Sequence, residues 1–191
     1  MADPVLHVLA GPNGSGKSTL WTLVLERELH LDFVNADEIT QDNWPGDPEG
    51  HAYDGAQLAA ERRDELMAAR RSFATETVFS HESKVELVRA AVDAGYLVTL
   101  HVLVVPADLA VERVFSRVEN RGHSVPEVKI RERYARLWAH VADAIRLAEH
   151  VRVYDNTSGA TPFRPIAGFE RGALLWSDWP PWTPAELVAL P

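Results

Sequence analysis

Short apolar runs alternate with amphipathic stretches along most of the chain. Val5 to Ala10 is an apolar run typical of a buried strand, and apolar positions at helical spacing follow it from about Lys17 to Leu29. The same reasoning predicts strands at 33–36, 71–80, 96–105 and 151–154. Helices are predicted at 54–71, at 81–94, from Pro106 to a break at 120–125, and from the capping-box pattern at 124–127 to about His150. Strands that alternate with helices in this way predict a parallel sheet covered by helices on both faces.

The C-terminal part of the chain has a different pattern. Residues 163–169 and 173–176 are β-forming runs that flank a turn at 170–172, and Trp176, Trp179 and Trp182 follow with two prolines. We therefore predict a main domain over residues 1–160 with a mainly parallel five-stranded sheet. Residues 161–191 are expected to form a hairpin and tryptophan-rich tail, a small appendage packed on the same domain.

A complete phosphate-binding motif lies between the first strand and the first helix. Residues 11–18 read Gly-Pro-Asn-Gly-Ser-Gly-Lys-Ser, which matches the pattern G-x-x-x-x-G-K-S/T. In such a loop, backbone N–H groups surround the β-phosphate, Lys17 reaches the β and γ oxygens, and Ser18 supplies a hydroxyl to Mg²⁺. The motif and its context predict the three-layer α/β fold of P-loop NTPases.

Several classes of P-loop protein lack support in this sequence. The strand at 97–105 contains no acidic residue, there is no Asn-Lys-x-Asp guanine motif, and there is no Leu-Ser-Gly-Gly-Gln run. These absences disfavour GTPase switches and transporter ATPases. The remaining class transfers a phosphoryl group from ATP to a small acceptor.

Charge and composition limit the classes of partner that this protein is expected to bind. The formal net charge of −9 disfavours a nucleic-acid substrate, because binding to a phosphate backbone requires clustered cations. The chain has no cysteine, which fits a reducing compartment, and its N-terminal apolar run is too short for a signal peptide or a spanning helix. We expect a cytoplasmic protein that binds neither nucleic acid nor membrane.

Two carboxylates beside the phosphate loop are candidates for accepting a proton or for binding the acceptor. Asp37 ends the second predicted strand, where it could accept the acceptor's proton, or it could cap a short helix at 38–41. Glu76 ends the third strand between two threonines, where it could hold acceptor hydroxyls or Mg²⁺-bound waters, or lie solvated at a strand end. Both alternatives remain open at this stage.

Basic residues crowd the predicted helices around a break at 120–125. Arg113, Arg121 and His123 suit a lid over the phosphates, because such lids place cations near the γ-phosphate. An exposed helix face paired with neighbouring glutamates is the alternative. The histidines show no paired ligand spacing, so a protein-bound transition metal is not expected.

Four segments together resemble the zeta-toxin family of P-loop kinases. They are residues 11–18, 33–39, 73–80, and 121–127 with 130–134, and the similarity covers about residues 5–157. Members of that family phosphorylate a sugar hydroxyl of UDP-N-acetylglucosamine, and in toxin–antitoxin systems a small antitoxin blocks the ATP site. The resemblance implies Asp37 as the base, Lys17 as the phosphate-binding lysine, Glu76 with Thr77 at the substrate, and Arg113 as a γ-phosphate ligand.

The resulting hypothesis is an ATP- and Mg²⁺-dependent kinase of a sugar nucleotide. NAD or an antibiotic hydroxyl as acceptor, and a non-catalytic ATP-binding interaction module, are the alternatives. We assign the catalytic roles to Asp37, Lys17, Arg113, Arg121 and His123, and acceptor binding to Asp37, Glu76, Thr77 and Ser80. We assign ATP binding to Gly11, Asn13, Gly14, Ser15, Gly16, Lys17, Ser18, Thr19 and Asn156, with Ser18 also holding Mg²⁺.

Overall fold

The strand β1 (Val5–Ala10) is an interior strand of a seven-stranded sheet. The computed structural model describes residues 3–119 and 126–191, except for the side chains of 117–119. The other strands are β2 (Asp32–Val34), β3 (Phe73–Thr77), β4 (Leu97–Val104), β5 (His150–Asp155), β6 (Arg164–Glu170) and β7 (Ala173–Ser177). The helices are α1 (Lys17–Leu20), α2 (Glu26–Leu29), α3 (Ala36–Asn43), α4 (Ala52–Ala68), α5 (Ser83–Asp93), α6 (Ala107–Glu119), α7 (Glu127–Leu147) and α8 (Ala185–Val188). A π-helical segment, Trp21–Leu25, joins α1 to α2.

The strand order is β2-β3-β1-β4-β5-β6-β7. The pairs within β1 to β5 are parallel, whereas β6 is antiparallel to β5 and β7 is antiparallel to β6. The predicted parallel strands are therefore present, and their carboxyl ends meet at one edge of the sheet.

The expected five-stranded sheet with a small appendage is wrong. The predicted hairpin forms, but it continues the same sheet as β6 and β7 and raises the number of strands to seven. The physical reason is burial: Ile166, Ala167 and Phe169 are at most 2% exposed and join the main core. Four apolar residues in a row along β6 had to be covered on both sides, which an isolated hairpin could not provide.

Alternate residues of β1 face two separate cores. Leu6 and Val8 pack with residues of α4, α5 and α7 in the larger core, while Leu9 packs with Leu20 and Trp21 in the smaller one. The helix that starts at Lys17 thus covers one face of the sheet, and most of the others cover the opposite face. No helix among the described residues is long and apolar enough to cross a membrane.

A chain of polar aromatic side chains crosses strands β1, β4 and β5. The His7 Nδ1 and His101 Nε2 atoms are 3.0 Å apart, and the His101 Nδ1 atom is 3.3 Å from the Tyr154 hydroxyl. Burial lowers the pKa of His7 to about 4. Burial, followed by the nearby His7 and Arg152, lowers the pKa of His101 to about 3. Both rings are therefore neutral in the folded protein at neutral pH.

We expect the free energy of unfolding to fall as the pH drops below 6.5. Below pH 6.5 both histidines become protonated in the unfolded chain, whereas in the folded protein His7 and His101 stay neutral until the pH reaches about 4 and 3. The stability that is present above pH 6.5 is therefore lost on acidification. The slope is at most ~1.4 kcal/mol per pH unit for each ring. Urea unfolding at several pH values measures it.

The matched comparison is His101→Gln against His150→Gln, since the His150 side chain is exposed. Only the first variant should flatten the dependence of stability on pH between 6.5 and 4. An equal slope in both variants would contradict the role given to the buried pair.

Candidate functional site

The glycine-rich loop adopts a backbone that favours glycine at three positions. Gly11, Gly14 and Gly16 have φ angles of 149°, 78° and 94°. A Cβ atom on Gly14 would lie 2.8 Å from the carbonyl oxygen of Ala110, so any side chain there would force α6 away from the loop. The loop ends where α1 begins at Lys17. A left-handed backbone that leads into a helix N-terminus is an arrangement that binds phosphate.

The side chain of Lys17 lies over this loop. Its Nζ atom donates to the carbonyl oxygens of Gly11 and Pro12, both at 3.1 Å, and lies 3.6 Å from Glu76 Oε1. The buried Ser15 hydroxyl has no hydrogen-bond partner within residues 3–119 and 126–191. A lysine held against the loop and an unsatisfied hydroxyl within it both fit a phosphate-bearing ligand.

Glu76 connects the end of β3 to the glycine-rich loop. The Ser18 hydroxyl donates to Glu76 Oε2 at 2.8 Å, and the Asn35 amide donates to the same oxygen at 3.3 Å. The alternative of a merely solvated strand end is therefore wrong. A hydroxyl and a carboxylate side by side are oxygen ligands that suit Mg²⁺, so Ser18 and Glu76 fit the ion that accompanies ATP.

Asp37 lies in the first turn of α3. The helix begins at Ala36 and its N-cap is Asn35, whose Oδ1 accepts from the backbone N–H of Asp37 at 3.0 Å. The alternative that Asp37 caps a helix at 38–41 is therefore wrong, because the cap lies two residues earlier. Within the described residues the carboxylate of Asp37 makes no hydrogen bond or ion pair, and its position in the pocket leaves it accessible to a ligand.

Asn35 is a site residue that had no assigned role in the sequence. Besides the cap, its amide also donates weakly to Glu38 Oε1 at 3.4 Å, so one buried side chain contacts both glutamates and fixes the start of α3. Burial, followed by repulsion from Glu76 and Asp42, raises the pKa of Glu38. The role of Asn35 as a helix cap could have been predicted from the run Asn-Ala-Asp-Glu, since Asn is a favoured N-cap residue.

A pocket of about 210 Å³ opens beside the loop, between the carboxyl ends of β2 and β3 and the helices α4 and α5. The structure brings five predicted site residues to its wall: Asn13, Asp37, Glu76, Thr77 and Ser80. It also brings there two cations that the sequence did not single out, Arg63 and Lys84. Arg63 could have been recognised in the sequence, because it shares one face of the helix with the small and apolar residues Gly55, Ala59 and Leu66.

The remaining predicted residues divide into three groups. Arg113 lies near the loop and donates to the Gly14 carbonyl oxygen at 3.4 Å. Asn156 donates to the Ser15 carbonyl oxygen at 2.8 Å and accepts from the Phe163 N–H, so it fixes the loop, while Thr19 is exposed on α1. Arg121 and His123 lie outside the described residues, and their lid role stays a prediction.

The metal-binding capacity of the site rests on few protein ligands. Within residues 3–119 and 126–191, no group of three or more His, Cys, Asp or Glu side chains is placed to hold a metal ion. Ser18 and Glu76 could supply two oxygens, and the phosphates of ATP and water would have to supply the others. This is the usual arrangement for Mg²⁺ at nucleotide sites.

The family of the chain is shown by a family model described as Zeta toxin, which matches residues 1–164. The chain belongs to the zeta toxin family. The resemblance carried by residues 11–18, 33–39, 73–80, and 121–127 with 130–134 is thereby confirmed. No curated protein matches this family member significantly in sequence.

Solved structures share the fold of this zeta toxin family member at low sequence identity. A chain of the AvrRxo1-ORF1–ORF2 complex with ATP has a TM-score of 0.69 at 16% identity, over 92% of this chain and 61% of that one. The PezAT chromosomal toxin–antitoxin system of Streptococcus pneumoniae gives 0.60 at 16% identity, over 81% and 68%. Shikimate kinase from Acinetobacter baumannii with shikimate gives 0.52 at 18% identity, over 82% and 86%.

We expect Glu76→Gln to raise the Mg²⁺ requirement for ATP binding by about 10-fold to 100-fold, the usual effect of losing a side chain that orients a metal ligand. The reason is that the carboxylate touches Ser18, the hydroxyl placed to hold the ion. Titration of Mg²⁺ at fixed ATP, followed calorimetrically, measures the change.

Glu38→Gln is the matched control, because Glu38 shares the Asn35 amide with Glu76 but does not contact Ser18 among the described contacts. An unchanged Mg²⁺ requirement in Glu76→Gln, together with a weaker affinity for the acceptor alone, would instead place Glu76 on the acceptor.

Proposed function

We propose that this protein is an ATP-dependent kinase that transfers the γ-phosphoryl group to a hydroxyl of a sugar nucleotide, with UDP-N-acetylglucosamine as the first acceptor to test. One observation carries the proposal. The pocket that contains Asp37 shares Glu76 with the glycine-rich loop, and Glu76 in turn contacts Lys17 and Ser18. A carboxylate able to accept a proton thus lies in the pocket next to the groups that bind phosphate.

The reaction divides among the residues as follows. The loop and Lys17 hold the β- and γ-phosphates, and Mg²⁺ bound near Ser18 and Glu76 would neutralise phosphate charge. The acceptor oxygen attacks the γ-phosphorus, its proton passes to the carboxylate of Asp37, and the bond from the γ-phosphorus to the bridging oxygen of ADP breaks. Asp37 has the freedom this role needs, because within the described residues its carboxylate is not held by a cation.

Family membership and structural likeness support this proposal at different levels. The zeta toxin family implies ATP as donor and UDP-N-acetylglucosamine as acceptor, and the fold is shared with shikimate kinase and with a complex that contains ATP. The solved toxin–antitoxin system motivates the further proposal of a small antitoxin protein as partner, and of a cytoplasmic location. The pocket of about 210 Å³ is smaller than typical ligand sites of roughly 300 to 1,000 Å³, so it suits the reacting part of a larger acceptor.

Phosphorus NMR of the protein with ATP, Mg²⁺ and single acceptors tests the function. UDP-sugars, NAD, and aminoglycoside or phenicol alcohols form the panel. We expect a new phosphomonoester signal with UDP-N-acetylglucosamine, and none with Lys17→Ala. A signal with NAD or an antibiotic alone would move the acceptor to those classes, and no signal with any acceptor would favour a non-catalytic ATP-binding module.

We expect Asp37→Asn to lower the rate of phosphoryl transfer by at least about 100-fold, the lower end of general-base catalysis. ATP affinity and stability should stay unchanged, because Asn35 caps α3 and retains its bond to the backbone N–H of residue 37. Transfer rates, ATP titration and thermal unfolding measure the three quantities.

Asp42→Asn is the matched control, since Asp42 is an exposed carboxylate on the same helix outside the pocket. Wild-type transfer rates in Asp37→Asn would show that the proton goes elsewhere, and Glu76 would be the next carboxylate to test.

A further inference from the structure

Arg63 occupies an unusual position for a cation. It lies on the buried stripe of α4, between Ala59 and Leu66, and is only 9% exposed. Burial lowers the pKa of its guanidinium group, which expresses the cost of removing the charge from water. Arginines in protein interiors usually have a carboxylate partner.

Lys84 lines the same pocket from the first turn of α5. Burial, followed by repulsion from Arg63, lowers the pKa of the Lys84 ammonium group. The two cations are therefore close enough to repel each other. The positive end of the α5 helix dipole adds to the same potential.

Within residues 3–119 and 126–191, neither cation has a carboxylate at ion-pair distance, although the neighbouring Asp64 partly offsets the effect of burial on the pKa of Arg63. No hydrogen bond or ion pair of the Arg63 guanidinium or the Lys84 ammonium group occurs there, although both side chains line the pocket. Of the two carboxylates in the same pocket, Glu76 is bound by Ser18 and Lys17, and Asp37 forms no ion pair with any described residue. Two partly desolvated cations in one pocket cost stability unless a ligand compensates them.

We propose that Arg63 and Lys84 form a subsite that binds an anionic group of the acceptor, a phosphate or a carboxylate, while Asp37 faces the reacting hydroxyl. The proposal rests on the proposed function in that the pocket receives the acceptor. A guanidinium group binds either anion through two parallel hydrogen bonds, and the ammonium group adds a point charge. The pocket therefore selects charged acceptors over neutral alcohols of similar size.

The three lysines of this chain allow a test that needs no turnover. Lys17, Lys84 and Lys129 can be acetylated with a limiting reagent and read individually by mass spectrometry. A non-hydrolysable ATP analogue and Mg²⁺ fill the nucleotide site in every sample. The probes are N-acetylglucosamine, its 1-phosphate, and glucuronate, which together separate a neutral sugar from a phosphate and a carboxylate.

We expect the charged sugars, but not N-acetylglucosamine, to slow acetylation of Lys84, while the exposed Lys129 reacts equally in all samples. Protection by only one of the two anions identifies the preferred group. The Arg63→Met variant should lose the protection of Lys84. Equal acetylation of Lys84 with the charged and the neutral sugars would overturn the subsite.

Kinetics of the wild-type protein and of Lys84→Met give the second arm. Loss of one charge-assisted hydrogen bond of about 1.5 to 3 kcal/mol should raise KM for a charged acceptor roughly 10-fold to 100-fold and leave KM for ATP unchanged. Lys129→Met is the matched control. An unchanged KM for the charged acceptor would contradict the subsite, whereas protection of Lys84 without any phosphoryl transfer would contradict only the proposed function.

Thermal unfolding of Arg63→Met separates a ligand-binding cation from a structural one. If Arg63 is kept for binding, its replacement by an apolar side chain of similar length should raise the melting temperature, since an uncompensated buried charge is removed. A lower melting temperature would show that Arg63 holds the fold together and would count against the subsite.

Discussion

The contact of one carboxylate, Glu76, with the glycine-rich loop is the interaction on which the rest of the site depends. Its two oxygens lie 2.8 Å from the Ser18 hydroxyl and 3.6 Å from the Lys17 ammonium nitrogen. The contact follows from the register of the sheet, in which Glu76 of β3 pairs with Leu9 of β1, two residues before the loop begins. Parallel pairing therefore delivers a carboxylate to the place where the phosphates and Mg²⁺ of ATP would bind.

The same geometry divides the site into two sides. In the proposed function, the loop with Lys17 and Ser18 forms the nucleotide side, and the pocket lined by Asp37, Arg63 and Lys84 forms the acceptor side. Glu76 and Asn35 lie at the boundary, since Asn35 contacts Glu76 and also caps the helix that carries Asp37.

Local patterns predicted much of this architecture. The motif at 11–18 and the apolar runs of β1 and β4 are continuous in sequence, so both the loop and the parallel strands could be identified without the structure. The family was also recognisable, because four short segments in order carried the resemblance. The assignment of Asp37 and Glu76 to one cleft depended only on the rule that parallel strands end at the same edge.

Features set by distant contacts could not be predicted in this way. The joining of β6 to β5 depends on the burial of Ile166 and Phe169, and nothing near these residues in sequence distinguishes a separate hairpin from two added strands. Arg63 and Lys84, 21 positions apart in the chain, line one pocket only because α4 and α5 both flank it. The alternative that Asp37 caps the helix placed the cap two residues too late, since Asn35 and Asp37 are both favoured N-cap residues.

The stereochemistry of transfer tests the central claim, that the phosphoryl group passes directly from the nucleotide side to an acceptor hydroxyl with Asp37 as base. The measurement uses ATP made chiral at the γ-phosphorus with oxygen isotopes and determines the configuration of the phosphorylated acceptor. A single in-line displacement inverts the configuration, and inversion is the result that this account predicts. Retention would require two displacements through a phosphorylated side chain, and it would contradict the assignment of Asp37 as a base.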